Sequence, residues 1–168
     1  WLVGSVRVLE RELPPPVVCF GLTRNLGQDL FAPPNVKGWD GGLSWITTNN
    51  LLARYNESAM LVLGDKSMLA GMNFAKAKAP GKKQQQMQRR LENLPLVTVS
   101  PEKILTAEER KSKDTLIAAL EKRLLQGRLK EKQQTVLREF LDSQSALDDQ
   151  VILEAVRLIM STPEYQLT

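Results

Sequence analysis

The stretch Asp148–Tyr165, DDQVILEAVRLIMSTPEY, decides the fold class. Val151, Ile152, Ala155, Val156, Ile159 and Met160 fall at i, i+1, i+4, i+5, i+8 and i+9, one apolar stripe on a helix of 3.6 residues per turn. Asp148 and Asp149 precede the stripe, where negative charge meets the positive end of the helix dipole. Thr162-Pro163 restarts a final turn, with threonine as cap and proline at the first helical position.

Working back toward the N-terminus, the same period returns. Val136, Leu137, Phe140 and Leu141 form one stripe; Leu116, Ile117, Leu120, Leu124 and Leu125 form another, stopped at Gly127. Thr106-x-x-Glu109 has the form of a capping box and predicts a helix starting there. Residues 76–100 carry a weak signal, in which Leu96–Val99 reads as an extended connector, and Met68, Leu69 and Met72 suggest a short helix in 65–75. Residues 65–112 are expected to be an insertion or flexible connector.

In the first half, residues 1–10 read as a helix already under way at Trp1, ended by Pro14-Pro15-Pro16, whose rings clash with the preceding turn. Val17, Val18, Cys19, Phe20, Leu22 and Leu26 mark a second, short and mostly buried helix over 17–28. Residues 29–46 hold two prolines and three glycines and cannot form a regular element. Thr47 or Thr48 caps a long helix, Leu51, Leu52, Tyr55, Ala59, Val62 and Leu63 are its expected buried face, and Gly64 stops it. No strand alternation of any length occurs. The class is all-α: an irregular bundle of about six to seven helices in a single domain over 1–168, with a long Pro/Gly-rich loop.

Composition narrows the function classes. The 168 residues include no histidine, which removes the commonest general base and metal ligand, and one cysteine, Cys19, which precludes an intrachain disulfide. No apolar run approaches the ~18 residues of a membrane span. The net charge of +4 is concentrated in Lys76–Arg90, where six basic residues meet no acid. No aromatic is interleaved there for base stacking, so a solvated loop is favoured over a specific nucleic-acid site. No cofactor, no metal and no catalytic residue is expected; Asp29 and Asp40, flanking the loop, are the acids to test, with turn or capping roles favoured.

The distinctive stretch is Leu30–Asn56, LFAPPNVKGWDGGLSWITTNNLLARYN. Its Pro33-Pro34-Asn35-Val36-Lys37-Gly38-Trp39, Gly41-Gly42, Trp45-Ile46, Leu51-Leu52, Arg54 and Asn56 resemble the loop and helix of a bacterial family known as domain of unknown function 1800. The ending Ser161–Leu167, STPEYQL, resembles that family's close, and the LLQG run at Gly127 and the opening LVGSVRVLE match it too. The resemblance covers 1–64 and 113–168. It implies that the chain is the C-terminal portion of a longer, exported protein, periplasmic or extracellular, although localisation cannot be read from these residues themselves. It implies no activity.

Two readings of the loop stand. In one, Asn35, Lys37, Trp39, Trp45, Asn50 and Arg54 form a pocket: backbone N–H groups at the helix start and Lys37 hold an anion, and the indoles stack on a sugar face. In the other, which is favoured, they are scaffold: the tryptophans plug the loop onto the helices, the asparagines bond its backbone, and Arg54 pairs with Glu57 or with loop carbonyls. The loop is expected to pack over the start of helix 47–63 with Trp45 mostly buried. The chain is read as a helical binding or assembly module of a larger protein; the alternative is an accessory part of a hydrolase acting on an anionic or glycan substrate. Residues 1–9, rich in apolar side chains, are expected to meet the preceding half of the same protein or a partner chain.

Overall fold

The computed structural model describes residues 1–29, 31–39, 41–64, 89, 93, 98–125 and 127–167. Among these residues the chain is helical without strands: α1 (Leu2–Val8), α2 (Pro16–Asn25), a 3-10 turn (Gly42–Trp45), α3 (Thr48–Leu63), α4 (Pro101–Ile104), α5 (Lys113–Leu124), α6 (Glu131–Asp142), α7 (Asp149–Met160) and α8 (Pro163–Gln166). The short helix expected in 65–75, the basic stretch 76–90 and Asp40 lie outside the described residues, apart from Arg89.

The helix opened by the quoted stretch is the hub. α7 packs most extensively on α3 and also contacts α4, α5, α6 and α8. Ile152, Ala155, Val156, Ile159 and Met160 are all buried, as their spacing predicts, and Asp148 caps the helix by accepting Val151 N–H at 2.8 Å. Leu116, Leu120 and Leu124 of α5 and Leu137 and Leu141 of α6 meet the same core. α1 turns Leu2, Val6 and Leu9 inward and leaves Val3 in solvent; α2 buries Val18 and Leu22 but, against the mostly buried helix expected, leaves Val17 and Phe20 exposed, because only one face of it meets the core.

Three local expectations are corrected. The Thr106–Glu109 capping pair forms, with Thr106 N–H donating to Glu109 Oε2 at 2.8 Å and Glu109 N–H to Thr106 Oγ1 at 3.3 Å. No helix follows it: residues 107–112 are turns, and α5 starts at Ser112, which accepts Thr115 N–H at 3.2 Å. Thr162 does not cap α8; its hydroxyl instead donates back to Ile159 O at 2.7 Å, closing α7.

The third correction concerns the face of α3. Leu52 is 58% exposed and Tyr55 is also in solvent, whereas Arg54, Glu57, Ser58 and Leu61 are buried. Those four sit at i, i+3, i+4 and i+7, so the helix is rotated to bury a mostly polar stripe. The rotation brings that stripe against α7 and α8. Met60, Leu61 and Val62 carry the apolar share of the contact, and Gly64 ends the helix in the left-handed conformation (φ 68°) as expected. Val99 is held to the end of α3, its N–H donating to Val62 O at 3.3 Å, and Ile104 and Leu105 are buried just after it.

Candidate functional site

The loop reaches α3 through a short chain of side-chain bonds. Thr47 caps α3 by accepting Asn50 N–H at 3.2 Å, and Asn50 Nδ2 turns back to donate to Trp45 O at 2.7 Å. The Trp45 indole N–H donates to Leu26 O at 2.8 Å, fastening the 3-10 turn to the end of α2. The turn beside it falls on Gly27, whose φ of 76° is a left-handed conformation that side chains rarely adopt; a Cβ there would make only ordinary contact, 3.8 Å, with the indole nitrogen. Asp29 pairs with Arg24 at 3.0 Å and helps close the same corner. The loop thus packs over the start of α3, and Trp45 is half-buried there.

Arg54 lies beneath. Its guanidinium carbon is 4.6 Å from the centroid of the Trp45 ring, a cation–π contact strengthened by partial desolvation. The expected bonds to loop carbonyls do not form. Instead Arg54 Nη1 donates to Gln166 O of α8 at 2.5 Å. The carbonyls at the end of α8 lack partners within their own helix, so a cation placed there satisfies one of them and meets the negative end of the turn.

The candidate ligand residues therefore separate. Trp45, Asn50 and Arg54 are brought together and engaged with the fold. Asn35, Lys37 and Trp39 lie on the outer limb: Asn35 Oδ1 accepts Lys37 N–H at 2.8 Å in a local turn, while the Lys37 side chain and the Trp39 indole face solvent. Phe31, 90% exposed, and Val36 stand beside them.

Around Arg54 the structure assembles a polar cluster that hydrophobic periodicity could not reveal. Glu57, one turn on, is 1% exposed, and neither of its carboxylate oxygens has a hydrogen-bond partner among the described residues. Burial raises its pKa to about 8, against the opposing pull of Arg54; burial likewise lowers Arg54, against the pull of Glu57. Ser58 Oγ donates to Arg54 O at 2.8 Å and is within 3.5 Å of Gln166 Nε2, which donates to Met160 O at 2.5 Å. Tyr165 OH donates to Ser5 Oγ at 2.8 Å, so α1, α3, α7 and α8 meet at one buried polar junction. The available signal was Arg54-x-x-Glu57-Ser58 on one helical face, with Tyr165-Gln166 at the far end of the chain.

Two further features bear on surfaces. A groove of about 580 Å³ opens beside Arg11, Leu13, Pro14, Pro16 and Cys19 at the α1–α2 corner, where the Cys19 thiol donates to Pro14 O at 3.2 Å. No described helix is long and apolar enough to cross a membrane.

The chain belongs to the DUF1800 family, described as a protein of unknown function, which matches residues 1–167. No curated protein and no solved structure matches it.

Proposed function

We propose that this member of the DUF1800 family is a non-catalytic binding or assembly module of a larger, exported protein, docking through its α1–α2–loop side. The observation that carries this is the placement of exposed apolar side chains. Among the described residues, Val3, Leu13, Val17, Phe20, Phe31, Val36, Trp39, Leu52 and Tyr55 are large, apolar and exposed, and all precede residue 56; only Val136 and Leu167 follow. Single exposed hydrophobics are ordinary on a soluble surface, but a concentration of them in one part of the chain supports a covered face there. Leu13 lines the α1–α2 groove, and Val17 and Phe20, exposed on α2, each follow one of its lining residues, Pro16 and Cys19, in sequence. The favoured occupant is the preceding part of the same polypeptide; export rests on the family resemblance.

The test is association in trans. The preceding portion of the reading frame and this chain, expressed separately, bind each other, and Val17→Glu with Phe20→Glu abolishes binding without lowering the helical content of the chain. Unchanged binding by the double variant refutes the face, and turnover of any substrate by the 168 residues alone refutes the non-catalytic reading.

A second reading keeps the outer limb as a ligand site of a hydrolase accessory domain. It is favoured by Trp39 and Lys37, which present an indole and an ammonium to solvent on one rigid turn. Glycan-array binding that disappears in Trp39→Ala and Lys37→Ala supports it.

A further inference from the structure

We propose that Glu57 is a proton-controlled switch that sets where Arg54 points, and through Arg54 whether α8 and the Trp45 turn are held to α3. The geometry makes Arg54 a shared resource. It donates to Gln166 O at 2.5 Å, lies 4.6 Å from the Trp45 ring centroid, and leaves its Nε without a hydrogen-bond partner. Glu57 sits three residues on, where the two side chains are neighbours on the helix surface. Their charged atoms are not in ion-pair contact in this arrangement, while both Glu57 oxygens remain without a donor.

A buried carboxyl without donors is tolerated as the neutral acid. As a carboxylate it needs a cation or several N–H groups. Loss of its proton to solvent therefore favours rotation of Arg54 toward Glu57, forming an ion pair within α3. The same rotation withdraws the guanidinium from Gln166 O and from the Trp45 ring. Two contacts that tie distant segments to α3 are exchanged for one local contact, and the C-terminal turn is left to the bonds of residues such as Gln166, Tyr165 and Glu164. The upward displacement of the Glu57 pKa places the event near neutral pH.

One other titrating group faces the same guanidinium: the α-amino group of Trp1, whose pKa is lowered by burial and by Arg54, so the Glu57 carboxyl signal is the readout that separates the two. The remaining charged groups on the neighbouring elements are engaged elsewhere. On α7, Arg157 pairs with Glu154 at 2.7 Å; on α2, Arg24 pairs with Asp29 at 3.0 Å; Arg11 donates to Leu61 O; and Tyr165 of α8 is bonded to Ser5 of α1. Arg54 is the charge that acts on Glu57.

The experiment is an NMR titration of the 168-residue chain from pH 5 to 9. It follows the Glu57 side-chain carboxyl carbon, the Trp45 indole N–H and the Gln166–Leu167 backbone amides. The expected result is one transition above pH 6.5 shared by all three sites, with amide exchange at Leu167, corrected for intrinsic base catalysis, rising more than about tenfold across it. In Glu57→Gln the indole and amide transitions disappear. A Glu57 carboxyl that titrates in the ordinary carboxylate range overturns the proposal, as does a carboxyl transition with no accompanying change at Trp45 and Gln166. The wild-type carboxyl signal decides the matter even if Glu57→Gln does not fold.

Discussion

Replacing Glu57 with glutamine changes how stability depends on pH, and the direction follows from burial. The folded-state pKa stands at about 8, against an ordinary value of 4.5. The folded state therefore holds a proton that the unfolded state releases across that window. Stability contributed by the neutral acid is fully present below pH 4.5, declines as pH rises, and is exhausted above pH 8. At about 1.4 kcal/mol per pH unit, the wild-type chain at pH 7 has lost on the order of 3 kcal/mol relative to its acid limit, and the whole window spans roughly 5 kcal/mol. That is a large share of the ~5–15 kcal/mol that holds a domain together. Urea unfolding at pH 5, 6, 7 and 8.5, followed by circular dichroism, reads the slope. The sequence contains no histidine, so few other side chains titrate in this range, and subtracting the Glu57→Gln curve cancels those that do. Wild type minus variant should fall steadily from pH 5 to 8 and then level. A difference that stays flat with pH would refute the reasoning.

Two other substitutions test the packing. Leu61→Ala removes a fully buried side chain of α3 and should cost about 2–5 kcal/mol, whereas Leu52→Ala, on the solvent face, should stay within about 0.5 kcal/mol; thermal melts that rank them the other way would restore the unrotated helix. Trp45→Phe keeps a ring but loses the bond to Leu26 O and weakens the contact with Arg54, so a destabilisation of about 1–3 kcal/mol is expected in chemical denaturation, with α7 unaffected by hydrogen exchange.

The parts of the fold that could be read from sequence are those whose signals are local and apolar. α7 is written in its own eighteen residues: the acidic start, the six-residue stripe and the Thr162-Pro163 restart all survive in the structure, although Thr162 bonds backward rather than forward. α3 was legible in length and in both ends, because Thr47 and Gly64 act within a few residues of themselves. Its orientation was not. Hydrophobic periodicity assigns the inside to leucines, but here the inside includes Arg54, Glu57 and Ser58, and Arg54 and Ser58 are met by Gln166, more than a hundred residues away. Nothing in a window around α3 announces that partner. The Thr106–Glu109 pair teaches the converse: its bonds form as the motif prescribes, yet two satisfied N–H groups do not propagate a helix, and Ser112 nucleates one instead. At the loop, the scaffold roles of Trp45, Asn35 and Asn50 follow from the need of irregular backbone for polar partners. The division into an engaged inner limb and a solvent-facing outer limb depends on tertiary contacts with Leu26 and Gln166.

Whether the α1–α2 side is a docking surface is tested most directly by carbene footprinting of this chain and of the polypeptide encoded by its complete reading frame. Leu13, Val17 and Phe20 should be labelled readily in the 168-residue chain and several-fold less in the complete polypeptide, while Val136, on the far side of the chain sequence and exposed in the same degree as Leu13, should be labelled equally in both. Equal labelling of Leu13, Val17 and Phe20 in the two samples would contradict the assembly role.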